Sequence, residues 1–436
     1  MNEDSHEYSP ITPIGITDWR NMKKPFGIKE KDRLGHMYVI GKTGTGKSTL
    51  LLNMAISDIQ NGNGLCVIDP HGDVAETLLN YIPKQRIKDV IYFNPADFDF
   101  PIAFNPLNGI HPNYHHLVAS GLISTFKKIW ADSWGPRLEY ILRFSLLTLL
   151  SYPDATLLDI QPLLTDSAFR GKVMLHVSNP HIISFWTNEF GKYSPILRAE
   201  AIAPILNKTG LFLSSLPLQK TVGQKSNGFK MQQVMDDRKI FIANLSKGNI
   251  GEDASSLLGS MLVTSIQLAA LHRAKQAASK RQPFFLFVDE MHSFISLSFA
   301  DILAEARKYG LGLFLAHQYI EQLNEKIRSA VFGNVGTIIS FRIGATDAES
   351  LEKEFYPVFD KSDLVNLPRY SMYLKLMIDG ATSKPFSAKT QQLFTSVQSS
   401  KVKIIEVARK KYGRKFQIVE ASDSQNSTHA TQPKLL

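Results

Sequence analysis

Short, wholly apolar runs alternate with amphipathic stretches at both ends of the chain, whereas the middle carries amphipathic stretches only. Residues 37–40 (MYVI) are apolar throughout and end at Gly41. Such a run, bounded by a turn signal, reads as a strand buried on both faces. From Lys47 to Gln60, the apolar residues Leu52, Ala55, Ile56 and Ile59 share one helix face, and Asn61-Gly62-Asn63-Gly64 stops the helix. Residues 65–68 (LCVI) and 90–93 (VIYF) read as further strands, with a helix over 74–81 between them. Strands alternating with helices imply parallel pairing through right-handed crossovers.

From about residue 112 to 235, strand signals disappear. Amphipathic segments at 115–129, 136–150, 157–164, 181–190 and 198–216 predict an all-helical region. Strand signals return at 239–245, 284–288, 312–316, 336–341 and 372–377, with helices expected over 253–274 and 302–308. Two α/β blocks therefore flank one helical block.

Composition narrows the class. Of 436 residues, 44% are hydrophobic and 20% charged, which excludes a disordered or collagen-like chain. Cys66 is the one cysteine, so neither an intrachain disulfide nor a cysteine-cluster metal site is available. The apolar run at 141–150 is interrupted by Arg143 and Ser145 and falls short of the roughly 20 residues of a membrane span. With a polar N-terminus that lacks a signal peptide, this predicts a cytoplasmic protein without a membrane span. Lysine plus arginine number 49 against 40 acidic residues, a surplus that favours an anionic partner.

The chemistry concentrates after the first strand. Gly41-Lys42-Thr43-Gly44-Thr45-Gly46-Lys47-Ser48 matches G-x-x-x-x-G-K-[ST], preceded by a strand and followed by a helix, with Thr49 next in line. Its glycines let consecutive backbone N–H groups point at phosphate oxygens, and the helix N-terminus adds positive potential. Lys47 is expected at the β- and γ-phosphates and Ser48 on Mg²⁺. Residues 284–288 (FFLFV) form an apolar strand ending in Asp289 and Glu290; the pair suits an aspartate that holds Mg²⁺ and a glutamate that polarises the attacking water. A guanine reader of the Asn-Lys-x-Asp kind is missing, Asn207-Lys208-Thr209-Gly210 lacking the aspartate, so ATP is the expected nucleotide. Asp289-Glu290-Met291-His292 also spells the box of another helicase class, but its basic companion motif is absent. The fold expectation is thus α/β: a RecA-like P-loop NTPase core with a mostly parallel sheet, interrupted by a large all-helical insertion. The expected divisions are a lead-in over 1–36, core over 37–111, insertion over 112–235, core over 236–395, and a basic segment with a disordered tail over 396–436.

Gln318 follows the strand at 312–316, where it can sense the γ-phosphate or orient water. Arg307 either complements a helix dipole or reaches a neighbouring subunit's site as an arginine finger. Arg342 is a second finger candidate. His111, His115 and His116 read as a histidine group at a helix start rather than a metal site. Asp69-Pro70-His71-Gly72-Asp73 either shapes the crevice or uses Asp73 as a helix cap. Seven basic residues between Lys401 and Lys415 read either as a phosphate contact or as a solvated helix face.

These motifs in this order resemble the HerA/FtsK superfamily of ring motors. The carriers are the run from His36 into the P-loop, Val288-Asp289-Glu290, Arg307-Lys308-Tyr309-Gly310-Leu311-Gly312 and Ala316-His317-Gln318. With the helical insertion and Leu367-Pro368-Arg369-Tyr370, the chain is most similar to the cytosolic ATPase of TraD/TraG-type conjugative (type IV secretion) coupling proteins. The resemblance implies an ATP-dependent DNA translocase, a homo-hexamer with ATP between subunits and DNA in a central pore. It implies Arg307 as the trans-acting arginine and Gln318 as γ-phosphate sensor. A relaxase, a secretion channel or a nuclease is the partner it would bring. The alternatives are a protein-handling type IV secretion ATPase of the same superfamily and a nucleotide-gated adaptor with little turnover. Coupling proteins usually carry N-terminal membrane helices, which this sequence does not show.

Overall fold

The computed structural model describes residues 11–18, 22–296, 299–393 and 400–415. Its strands are β1 (Ile11–Thr17), β2 (Pro25–Lys29), β3 (Met37–Ile40), β4 (Gly64–Asp69), β5 (Val90–Phe93), β6 (Ile240–Asn244), β7 (Phe284–Val288), β8 (Leu311–His317), β9 (Thr337–Ser340), β10 (Ser371–Lys375), β11 (Met377–Ile378), β12 (Ala381–Thr382) and β13 (Phe386–Thr390). All but the β11–β12 hairpin join one sheet, ordered β2-β1-β13-β10-β9-β3-β8-β7-β4-β6-β5. The stretch from β9 to β5 is parallel. The four strands beyond β9 pair antiparallel.

The continuous apolar runs have a simple cause: both sheet faces are covered. Met37, Val39, Leu65 and Val67 pack on one side with the helix Lys47–Gln60, while Tyr38, Ile40, Cys66 and Ile68 face the other side and the insertion. Between β5 and β6 the described chain is helical, from Pro112–Tyr114 to Met231–Asp236. Phe126, Leu146 and Phe212 of this region belong to the same apolar cluster as Tyr38 and Phe93 of the sheet, so the helices share the core of the sheet.

Three features go beyond the sequence reading. The lead-in contributes β1 and β2 to the sheet; they read weakly in sequence because Pro13, Gly15, Pro25 and Gly27 interrupt them. Second, Glu252–Lys275 is long and apolar enough to cross a membrane by length and composition, and 72% of its apolar 18-residue window is buried inside the fold. Third, the basic segment forms a helix, Lys401–Tyr412, whose Ile404 and Ala408 are buried against the rest of the chain. The tail expected to be disordered, 420–436, lies outside the described residues.

Candidate functional site

In a parallel sheet, the strand C-termini form one edge, where ligands bind. Here β8 lies between β3 and β7, with Ile40 level with His317 and Val288 level with Leu315. The P-loop leaves β3, Gln318 leaves β8, and Asp289-Glu290 leaves β7. Sheet order therefore brings together three motifs that are far apart in sequence, within about 10 Å across the strands.

The loop is shaped by two glycines in conformations that L side chains rarely adopt, Gly44 (φ 73°) and Gly46 (φ 130°). A Cβ on Gly46 would also lie 2.9 Å from the Phe341 ring and 3.1 Å from the Tyr370 ring. Lys47 is buried, and its ammonium donates to the carbonyls of Gly41 (2.5 Å) and Lys42 (3.3 Å). Burial lowers its pKa, opposed by the nearby carboxylates of Glu290 and Asp289. The Ser48 hydroxyl is 3.4 Å from Asp289 Oδ2. Burial, reinforced by the negative charges of Glu290 and Asp69, pushes the Asp289 carboxyl up to about 6. Buried acids crowded in this way are what a divalent cation would relieve. Paired oxygen donors from Ser48 and Asp289 therefore fit Mg²⁺.

Glu290 is buried and holds a left-handed backbone conformation (φ 48°, ψ 54°), a strain of about 1–3 kcal/mol that sets its side-chain direction. Its Oε1 accepts from the Gln318 side-chain amide at 2.6 Å, while Gln318 Oε1 accepts from the Thr43 hydroxyl at 3.0 Å. Glu290, Gln318 and the P-loop thus form one hydrogen-bonded chain.

Of the remaining candidates, Arg342 is exposed at the end of β9, and its carbonyl accepts from Lys42 N–H at 2.8 Å. Arg307 is exposed at the start of β8, so the whole strand, about 20 Å, separates it from the edge that carries its own P-loop. Asp69, not Asp73, makes the capping contacts at the helix Asp73–Leu78: its carboxylate accepts from His71 N–H and Ala75 N–H, both at 2.9 Å. His111 and His115 bond to Asn113 N–H and the Ile110 carbonyl respectively. Among the described residues, no group of three or more His, Cys, Asp or Glu side chains gathers to hold a metal.

Sequence reasoning gave no role to Arg369 and Tyr370. Arg369 Nε donates to the Gly44 carbonyl at 2.9 Å and Tyr370 N–H to the Thr45 carbonyl at 2.8 Å, so this turn props the P-loop from behind. The one signal was Leu367-Pro368-Arg369-Tyr370 itself, whose distance along the chain hid its contact.

Residues 25–355 match the family described as "Type IV secretion-system coupling protein DNA-binding domain". The chain belongs to this family. As a coupling-protein domain it is also similar in fold to solved structures of the plasmid coupling protein TrwB. In complex with the non-hydrolysable ATP analogue ADPNP, TrwB superposes with a TM-score of 0.63 at 16% identity, covering 89% of this chain and 91% of that one. TrwB with ADP and Mg²⁺ gives 0.61 at 16% identity, covering 87% and 90%. VirB4 of Thermoanaerobacter pseudethanolicus gives 0.62 at 14% identity, covering 90% and 99%. No curated protein matches. The coupling-protein domain thus has the α/β P-loop NTPase fold expected from its sequence.

Proposed function

We propose that this coupling-protein domain is an ATP-dependent DNA translocase that works as a homo-hexameric ring. The observation that carries the reading is the hydrogen-bonded chain Thr43–Gln318–Glu290, which lies beside the Ser48–Asp289 pair at one sheet edge. The family description supports DNA as partner, and the surplus of basic residues, net +9, agrees with a polyanion. TrwB, of like fold, has been solved with ADP and Mg²⁺ and with both ATP and GTP analogues, which supports a purine nucleotide and Mg²⁺ here.

The roles follow from position. The backbone N–H groups from Gly41 to Thr49 cradle the phosphates, and Lys47 exchanges its carbonyl partners for phosphate oxygens. Ser48 and Asp289 hold Mg²⁺, which when bound neutralises the charge that builds on the phosphate oxygens. Glu290 takes the proton of the attacking water. Gln318, touching both Glu290 and the P-loop, reports whether a γ-phosphate is present. Arg307 acts on a neighbour's site.

The test compares ATP and GTP hydrolysis by the wild-type chain with and without DNA. Hydrolysis that DNA stimulates is expected. Lys47→Ala should lose nucleotide affinity, whereas Glu290→Gln should keep affinity and lose turnover by about 10²- to 10⁴-fold. Absence of both stimulation and DNA binding at low salt overturns the translocase; protein partners captured without DNA affinity would instead favour the protein-handling secretion ATPase.

A further inference from the structure

Two buried polar atoms at the site face one another without a hydrogen bond. Glu290 Oε2 and His292 Nδ1 each lack a hydrogen-bond partner, and they lie 3.4 Å apart. An unsatisfied buried polar atom costs about 1–3 kcal/mol, so a small closing movement would satisfy both. Whether it can do so depends on which ring nitrogen of His292 carries the proton.

The contacts on the other side of the ring favour one tautomer. Lys247, whose ammonium also pairs with Glu252 at 3.0 Å, donates to Ser293 Oγ at 3.3 Å. An ammonium can only donate, so the Ser293 oxygen accepts there, and its own hydrogen is free for His292 Nε2, 3.4 Å away. A hydroxyl that donates to Nε2 leaves the proton on Nδ1, the nitrogen 3.4 Å from Glu290 Oε2. Every donor and acceptor from Lys247 through Ser293 and His292 to Glu290 then has a consistent role, and Gln318 and Thr43 carry the chain on to the P-loop. Lys128, on the helix His115–Ile129, lies near His292 from the insertion side, and burial lowers its own pKa to about 7.

We propose that His292 is a positioning residue for Glu290, with its tautomer set by Ser293 and Lys247. Nδ1–H holds Oε2 while Gln318 holds Oε1, which fixes the carboxylate plane and leaves one lone pair on each oxygen to meet the water. This rests on the reading of Glu290 as the group that takes the water's proton. It also ties the loop after β6, which carries Lys247, to the catalytic edge.

The first measurement needs no nucleotide. Imidazole ¹⁵N shifts of His292, assigned by their loss in His292→Gln, should report the Nδ1–H form, and Ser293→Ala should mix the tautomers. The second is kinetic. His292→Ala should lower kcat roughly 10- to 100-fold, the loss common when a supporting hydrogen bond is removed, with KM and ADP affinity unchanged. His292→Asn, whose amide N–H can stand in for Nδ1–H, should recover much of the loss. Melting curves screen all variants for folding. A dominant Nε2–H form, an unchanged kcat in His292→Ala, or joint loss of kcat and ADP affinity would overturn the proposal. The tautomer decides the contact even if the wild-type chain hydrolyses nothing, an outcome that would strike the ATPase reading instead.

Discussion

Arg33 is 2% exposed, with its terminal nitrogens on the two oxygens of Asp58 at 2.6 and 2.8 Å and its guanidinium 3.7 Å from the centre of the Phe285 ring. It also bonds the Thr12 hydroxyl of β1 at 2.8 Å, so one side chain pins the first strand, the P-loop helix and β7 together. Removing one partner of a fully buried pair strands the other charge. Arg33→Met should therefore cost about 3–5 kcal/mol in urea unfolding, and an exposed pair such as Lys401–Glu76 should cost under about 1 kcal/mol when broken. Two buried histidines set a pH dependence. Burial holds His36 at about 4 and His317, which touches the Tyr38 hydroxyl, at about 3. Below the ordinary imidazole value of about 6.5, the unfolded chain takes up protons that these folded sites refuse, so stability falls as pH drops from about 6.5 toward 4. Asp289, pushed up to about 6, works in the opposite direction over much of that window and offsets one histidine. The net effect should be a loss of stability toward low pH, and His317→Gln should reduce it. A wild-type stability that stays level over the window in denaturant titrations would refute this.

Legibility in the sequence follows burial, element by element. β3, β5 and β7 are buried on both faces, so each is a continuous apolar run whose bounds are the expected ones, and the helix Lys47–Gln60 shows its inward face at regular spacing. β1, β2 and β13 lie on the antiparallel side, partly exposed, as ITPIGIT, PFGIK and FSAKT; proline, glycine and polar residues break their alternation, and none was legible. The P-loop and the Asp289-Glu290 pair were legible because their chemistry dictates local residue types. The prop from Arg369 and Tyr370 was not, because its partners are 325 residues apart and only the closed sheet brings them together. The basic helix Lys401–Tyr412 had two readings, a phosphate contact and a solvated face, and the structure shows it docked against the rest of the chain. Arg409 bonds Asp97 at 2.6 Å and Lys401 bonds Glu76 at 2.8 Å, while Ile404 and Ala408 are buried. Two of its five basic residues thus form ion pairs in docking. Ile404→Ala should then destabilise the chain by about 2–4 kcal/mol. Replacing the exposed Lys403 and Lys410 by glutamate should leave the salt dependence of DNA binding unchanged; a slope smaller by about one or more would restore the phosphate-contact reading.

At the scale of the whole molecule, the two ends of the parallel strands carry different halves of the proposed chemistry. The C-terminal edge holds the P-loop, Asp289, Glu290 and Gln318; Arg307 is exposed at the N-terminal end of β8. A single chain cannot turn Arg307 onto its own Lys47 without dismantling β8, whose seven residues are all buried. If Arg307 contributes to hydrolysis, it does so in a neighbouring subunit, and that makes assembly a condition of activity. Mixing two inactive variants tests this. Arg307→Ala keeps an intact Glu290, and Glu290→Gln keeps an intact arginine. In randomly mixed rings, about one site in four joins a good glutamate to a good neighbouring arginine, so ATPase activity should return to about a quarter of the wild-type rate. Assembly with nucleotide and DNA is checked by negative-stain imaging of the same mixture. Rings that form yet stay inactive would rule out action across the subunit boundary, and full activity of Arg307→Ala alone would remove Arg307 from the site. Arg342, exposed beside the P-loop at the end of β9, would then be the arginine to test by the same mixing.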